Sequence, residues 1–419
     1  MRDASIDQAI ASGKTYGDLA VQHAVFTRLR AEDPLHWTTP EGVRPFWTVA
    51  KHADVLEIER QPERFLNAPR SKLFSTDFEQ AVRDEMAGRT YLVRGLPQMD
   101  GQEHKQYRQI TQAWFQPKQV KQLEARIAEL ARRTVDDMEA RGPACDFYND
   151  IAAWFPLRVI MLILGLSESG DEARLLDITR AYFGGSDPEM QKGSDLIRAT
   201  KDYVAYFDGV SEARRRHPTD DAASLIANSQ IDGRPIEHYE ASSYYIALAS
   251  AGHDTTSATA AGGVLALIQN PGEWKKLQER PELVASAVDE MVRWVSPVKH
   301  FFRTATEDYE LRGKAIKSGD HLLMSYPSAN RDEEVFGDPF AFRVDRNPNK
   351  HLGFGFGPHV CLGMVLAKIE LQILLRELLA RVESFELDGM PAWVETSFVG
   401  GLKRLPVRVK MKARAAVPA

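Results

Sequence analysis

One cysteine in this chain sits among residues that would present it to a ligand: Phe354-Gly355-Phe356-Gly357-Pro358-His359-Val360-Cys361-Leu362-Gly363. Three glycines and a proline crowd Cys361, and an apolar-periodic helical pattern begins directly after it. Glycine tolerates positive φ and has no Cβ, so such a loop can lie flat against a large planar ligand. A sulfur at the start of a helix meets free N–H groups and the positive end of the helix dipole, which favour thiolate over thiol. A lone thiolate with no cysteine or histidine at zinc spacing points to heme iron.

Three further groupings could do chemistry. Ala251-Gly252-His253-Asp254-Thr255-Thr256 interrupts the most apolar helical pattern with residues of poor helix propensity. Gly252 would let a ligand approach the backbone, a threonine hydroxyl could take a backbone carbonyl and open the helix locally, and a buried Asp254 would need hydrogen bonds. A simple kink with Asp254 on a wet face accounts for the motif equally well. Glu290 and Arg293 lie three apart on one helix face, as do many surface ion pairs of little consequence. His104 and Arg108, four apart, could hold an anionic ligand group such as a heme propionate, or simply be a solvated face.

The elements that must position these residues are mostly helices. Helical periodicity covers residues 120–138, 150–166, 194–216, 239–270, 281–294 and 362–382, with Pro271 ending the longest pattern. Strand-like pieces are short: 46–50, 303–311 and 408–411, the last with a partner near the C-terminus. Gly184-Gly185-Ser186-Asp187-Pro188 reads as a turn, either a lid hinge or an ordinary helix connection. The expected fold class is mainly α, one large helical domain over 1–419 with small peripheral β-sheets and a smaller β-rich subregion near the N-terminus.

Composition agrees with a large core. The 419 residues are 43% hydrophobic and 27% charged, with net charge −6, which makes no electrostatic case for nucleic acid. No signal-peptide apolar region opens the chain and no apolar run could span a bilayer, so a cytoplasmic protein without membrane attachment is expected. Cys145, in Gly142-Pro143-Ala144-Cys145-Asp146-Phe147, reads as a free structural thiol rather than a disulfide partner of Cys361.

The order and combination of these motifs resemble the bacterial cytochromes P-450, heme-thiolate monooxygenases, from about residue 24 to 409. The cysteine loop matches the family's Phe-Gly-x-Gly-x-His-x-Cys-x-Gly pattern at every position. The strings Ala113-Trp114-Phe115-Gln116-Pro117, Ser325-Tyr326-Pro327-Ser328-Ala329-Asn330-Arg331-Asp332 and Phe398-Val399-Gly400-Gly401 look most like the alpha-terpineol hydroxylase group.

The resemblance implies heme b (iron protoporphyrin IX) as cofactor, with Cys361 as the axial ligand of its iron. It implies that Phe354 and Gly363 pack at the sulfur, that Ala251 and Gly252 leave room for O₂, and that Asp254 and Thr255 relay protons. His104, Arg108, Arg303 and His359 would bind propionates, and Glu290, Arg293 and Arg346 would form a buried structural network, with Pro339 and Phe342 in the same meander. The substrate would be a small hydrophobic molecule, a monoterpenoid or alkyl-aromatic hydrocarbon, and the electrons would come from a ferredoxin and its reductase. Ala247, Ser250, Val298, Phe301, Phe398 and Val399 are nominated for the pocket. Lys105, Arg108, Lys118, Lys121 and Lys368 are nominated for a basic ferredoxin-docking face. The rival reading is a non-catalytic heme-thiolate sensor, which has no need of Asp254 and Thr255; a peroxygenase would usually lack that pair as well.

Overall fold

The computed structural model describes residues 4–166, 170–183, 187–190 and 196–413. Its centre is the helix His238–Gln269, 32 residues long and about 48 Å at 1.5 Å per residue. This helix is apolar on nearly every side because it is surrounded. Trp154–Ile163, Leu196–Arg216, Val284–Val295 and Met364–Arg381 all pack against it. Asn270 caps its end and Pro271 opens the next helix, so the chain turns where proline cannot continue the helical hydrogen bonds.

The other expected helices are Pro117–Ala140, Leu196–Arg216 and Met364–Arg381. Two patterns are composite. The 150–166 pattern is a π-helical stretch, Phe147–Ala152, followed by Trp154–Ile163, and the 281–294 pattern starts as the 3-10 turn Pro281–Leu283 before Val284–Val295. Residues 184–186 of the expected hinge lie outside the described residues. Asp187, at its end, is buried and ion-paired with Lys403 at 2.9 Å. Among the described residues no helix is long and apolar enough to cross a membrane.

The sheets correct the sequence reading in one place and extend it in another. The 303–311 pattern is two strands, His300–Ala305 and Tyr309–Leu311, which belong to different sheets. The strand Pro406–Met411 pairs with Val382–Leu387, near the C-terminus as expected, but also with Ala144–Asp146 from the first half of the chain, which the sequence reading did not include. Periodicity gives strand character but no partner, so neither was evident from pattern alone. Cys145 lies opposite Val407 on the edge of this sheet, a free thiol whose pKa burial raises to about 11. The largest sheet has five strands in the spatial order Leu35–Thr38, Phe46–Val49, His321–Ser325, His300–Ala305 and Phe65–Leu66. It joins segments some two hundred and fifty residues apart in sequence, so the N-terminal β-rich region is completed by later strands.

Glu290 is the hub of the proximal half. Its carboxylate accepts two bonds from Arg293 at 2.7 Å, two from Arg346 at 3.1 Å, one from Asn349 at 3.1 Å and the Arg343 N–H at 2.9 Å. Glu290 and Arg293 are fully buried. The remaining guanidinium N–H groups donate to the carbonyls of Asn330, Gly337, Asp338, Pro339 and Ala341. Irregular backbone in a protein interior needs such partners. Glu290→Ala would strand two buried cations and should lower unfolding free energy by roughly 3–5 kcal/mol. Glu32→Ala breaks the exposed Arg28–Glu32 pair and should cost under about 1 kcal/mol. Urea midpoints followed by circular dichroism distinguish the two; equal midpoints would remove Glu290 as the hub.

Candidate active site

Gly355 and Gly357 in the cysteine loop have φ of +68° and +71°. At Gly357 the requirement for glycine is doubled, because a Cβ there would lie 2.6 Å from the Glu59 carbonyl oxygen. The Cys361 N–H donates to the Phe354 carbonyl at 2.9 Å and closes the loop. The helix starts at Met364, so the sulfur sits at its N-terminal end. The thiol opens onto a cavity that Phe354 and Gly363 also line. Burial raises the thiol's pKa, while the N–H groups of Gly363 and Met364 and the nearby Arg108 pull it down. A bound metal ion adds the charge needed to hold the thiolate. Among the described residues no group of three or more His, Cys, Asp or Glu forms a separate metal cluster.

Across the cavity, the central helix presents Ala247, Ala251, Gly252 and Thr255, spaced on one face. The Thr255 hydroxyl donates to the Ala251 carbonyl at 2.7 Å, as its position four residues on allows. The helix nevertheless stays α-helical throughout, which corrects the expectation that it opens here. A Cβ on Gly252 would come within 3.1 Å of the Ile160 side chain, so its smallness serves helix packing as well as the cavity. Asp254 is on a different face and does not line the cavity. Its carboxylate lies 3.3 Å from His253 Nδ1 and within electrostatic reach of Tyr148 and Tyr203. His253 is fully buried, points away from the cavity and bonds the Ala153 carbonyl at 2.7 Å.

One end of the cavity is polar. The rings of His104 and His359 pack against each other, tilted by 36° with centroids 4.0 Å apart, and His359 reaches towards Asp100 at 3.7 Å. Burial, then the charges of His359 and Arg108, lower the His104 pKa to about 4. His104 Nε2 is buried without a hydrogen-bond partner, and Arg108 makes no ion pair among the described residues. Arg303, expected as a propionate contact, lines the cavity but already has a carboxylate partner. Its guanidinium donates to Glu59 Oε1 at 2.7 Å, an oxygen that also accepts from Tyr326 at 2.7 Å. Burial keeps the Glu59 carboxyl above the usual range despite Arg303.

These features fit heme. The thiol projects from the glycine-rich loop into the cavity, nothing lies within 4 Å of a Cβ built on Gly363, and unpartnered nitrogens of His104 and Arg108 stand at one rim. Sequence reasoning missed Glu59, Tyr326 and Glu370. Glu370 is buried, lines the cavity and accepts from Thr256 at 3.3 Å, with its other oxygen unpartnered. Burial holds its carboxyl well above the ordinary range. The available signal was an acid at helical spacing between Leu366 and Leu374, on the side of the helix that is otherwise leucine, nine residues after Cys361.

The nominated substrate residues divide. Ala247, Val298 and Phe301 line the cysteine cavity, whereas Phe398 and Val399 line a second cavity beside it. Phe301 and Phe398 meet edge to face at 5.5 Å, and Val298 and Val399 form an isolated bridge. Ser250 lines neither; its hydroxyl turns back to the Ala247 carbonyl at 3.4 Å, because position 250 falls off the helix face that carries 247 and 251. His300 lines neither cavity but fastens their walls. Nδ1 donates to the Ser397 carbonyl at 2.7 Å, and Nε2 accepts the Leu73 N–H at 3.0 Å. Of the nominated docking residues, Lys105, Lys118 and Lys121 are exposed. Arg108 faces the cavity, and Lys368 pairs with Asp289 at 2.7 Å.

Comparisons with known proteins identify the family and the fold. The family model described as Cytochrome P450 matches residues 197–411. "Cytochrome P450-terp" of Pseudomonas sp is 42% identical over 94% of each chain. "Linalool 8-monooxygenase" of Pseudomonas putida is 34% identical over 92% of this chain and 95% of its own. The crystal structure of CYP108D1 from Novosphingobium aromaticivorans superposes with a TM-score of 0.90 at 39% identity, covering 98% of this chain and 100% of that one.

The wall fastener yields a pH test. Burial lowers the His300 pKa from an ordinary 6.5 to about 3. The unfolded chain therefore takes up a proton at this residue below pH 6.5 that the folded chain refuses. The stability tied to neutral His300 is complete above pH 6.5 and is lost as pH falls towards 3. His300→Gln should be less stable at pH 7, yet lose less stability between pH 7 and 4.5 than the parent protein. Parallel urea midpoints across that range would count against this role.

Proposed function

This chain belongs to the cytochrome P450 family of monooxygenases, and from that premise we propose that it hydroxylates a small hydrophobic molecule, a monoterpenoid or an alkyl-aromatic hydrocarbon. The carrying observation is the single cavity that sets the Cys361 thiol opposite the Ala251–Thr255 face, with His104 and Arg108 at its polar end. The substrate class is supported by the apolar distal wall of Ala247, Val298 and Phe301, and by the resemblance to the alpha-terpineol hydroxylase group. Heme b held on this thiolate supplies the activation of O₂, so that two electrons and two protons place one oxygen atom in a C–H bond and release the other as water.

The protein's own groups do the rest. The N–H groups of Gly363 and Met364 temper the charge on the sulfur, as hydrogen bonds to metal ligands do. Phe354 packs beside the loop and keeps water from the sulfur. Arg108 would meet the carboxylates at the cofactor's rim with a charge-assisted bond, and His104 and His359 would donate ring N–H groups to them. Arg303 supports that rim through Glu59. Thr255 holds its hydroxyl at the cavity surface, where it accepts and passes a proton. Asp254, one residue earlier and 11% exposed at its side chain, connects that site to the outer side of the helix.

Electrons come from a separate ferredoxin with its reductase. The exposed Lys105, Lys118 and Lys121 suit an acidic partner. The chain works as one catalytic domain, since strands from 35–49 and 300–325 share a sheet. We place it in the cytoplasm, where its two free cysteines stay reduced.

Cys361→Ala should abolish the thiolate-type spectrum of the reduced carbon monoxide complex; a retained spectrum would overturn the ligand assignment. Thr255→Ala should keep consuming electrons while product per electron falls by about tenfold or more and hydrogen peroxide rises. Unchanged coupling would take Thr255 out of proton delivery. Monoterpenes and alkylbenzenes should shift the heme spin state, and a shift with steroids or long fatty acids alone would sink the substrate class.

A further inference from the structure

The second cavity is lined by Leu73, Phe74, Val82, Val93, Phe398 and Val399 among its apolar residues. Its charged residues are unbalanced. Arg44, Arg70, Lys72 and Arg83 face one carboxylate, Glu79. Glu79 is already engaged: Arg44 donates to both its oxygens at 2.7 and 2.8 Å, and Arg70 stands 3.8 Å away. Arg70 spends further N–H groups on the carbonyls of Arg44 and Pro45. Gln98 donates to the Ser71 hydroxyl at 2.8 Å.

Lys72 is different. It makes no hydrogen bond or ion pair among the described residues, and its ammonium lies 4.5 Å from the centre of the Phe398 ring. A cation over an aromatic face gains some attraction, but much less than it loses on leaving water without an anion. Burial pushes its pKa down to about 8, which leaves it mostly charged at neutral pH. Phe398 in turn meets Phe301 at 5.5 Å, and Phe301 lines the cavity of Cys361. One cationic anchor is thus separated from the reaction cavity by a single pair of rings.

We propose that this outer cavity binds a carboxylate, with Lys72 as its counter-ion, and that the preferred substrate is an alkyl-aromatic or terpenoid carboxylic acid whose hydrocarbon end passes Phe398 to reach Phe301. The proposal rests on the monooxygenase reading of the neighbouring cavity and sharpens its substrate class from hydrocarbon to acid. The apolar lining accommodates the hydrocarbon body, and the excess of cations excludes a cationic ligand. A neutral ligand would leave Lys72 without a partner.

The test uses the heme-loaded protein and a matched set of probes: 4-tert-butylbenzoate, 4-tert-butyltoluene and 4-tert-butylbenzyl alcohol. Titrations followed by the heme spin state should show the acid binding about tenfold or more tighter than both neutral probes, as a charge-assisted bond in a shielded site provides. Lys72→Met should bring the acid-to-hydrocarbon affinity ratio close to one, and Lys72→Arg should keep the preference. Equal affinities in the parent protein, or a preference that survives in Lys72→Met, would overturn the proposal; the first comparison needs no variant. Failure of the monooxygenase reading is distinct, because none of the three probes would then be converted to hydroxylated product when electrons and O₂ are supplied, whatever their relative affinities.

Discussion

The carboxylate of Glu290 has no water around it, so its charge must be met by fixed donors, and the segment that leads to the cysteine loop supplies or receives most of them. Arg293 comes from the same helix, whereas Arg343, Arg346 and Asn349 come from the irregular chain beyond it. The two guanidinium groups then hold carbonyls between 330 and 341 that no helix or strand satisfies. Asn330 passes the constraint on, since its side chain accepts the Leu352 N–H at 2.7 Å, nine residues before Cys361. Such a network need not be more stable than an apolar core of the same volume. What it adds is a single permitted geometry, because any other arrangement strands a buried charge. The position of the sulfur inherits that geometry.

The opposite wall works by a different economy of polar groups. Thr255, Ser257 and Thr259 all return their hydroxyls to the carbonyl four residues earlier, at 2.7–2.9 Å. This lets an apolar, buried helix carry polar residues without orphaned groups. Only Thr255 among these three combines such a bond with a place on the cavity surface beside Ala251 and Gly252, although Thr259 also reaches the cavity further along. Asp254 and His253 bond one another, and His253 also holds the carbonyl of Ala153, the residue that caps the π-helical stretch Phe147–Ala152, on the far side. The helix therefore separates a reactive face from a polar support face, one residue apart in sequence and about 100° apart around the axis.

Charge is also partitioned. At the polar rim Glu59 absorbs the charge of Arg303, so the donors left for an anion are Arg108 and the paired histidines. The aromatic contact of Phe301 and Phe398 lies between the apolar reaction cavity and a cation-rich outer one. The two cavities thus differ in electrostatic character although both walls are largely hydrophobic, and specificity can be set at their junction without disturbing the cysteine.

Local chemistry was legible in the residues. Cys361 among glycines, the helical patterns, the proline stop at 271 and the Glu290–Arg293 spacing all follow from short-range geometry, and the combined motifs indicated the family. Partnerships were not legible. Nothing in the sequence pattern ties Arg303 to Glu59, 244 positions away, or Ala144–Asp146 to Pro406–Met411. Helical spacing could have excluded Ser250 from the face of Ala247 and Ala251, but it could not reveal that Arg108 turns inward or that Lys368 is neutralised by Asp289. The sequence alone determined which residues could ligate, donate or bend, because those properties belong to a side chain and its nearest neighbours. The tertiary structure alone decided which of them are free to act, because a charge or hydroxyl is available only when no distant group has already claimed it.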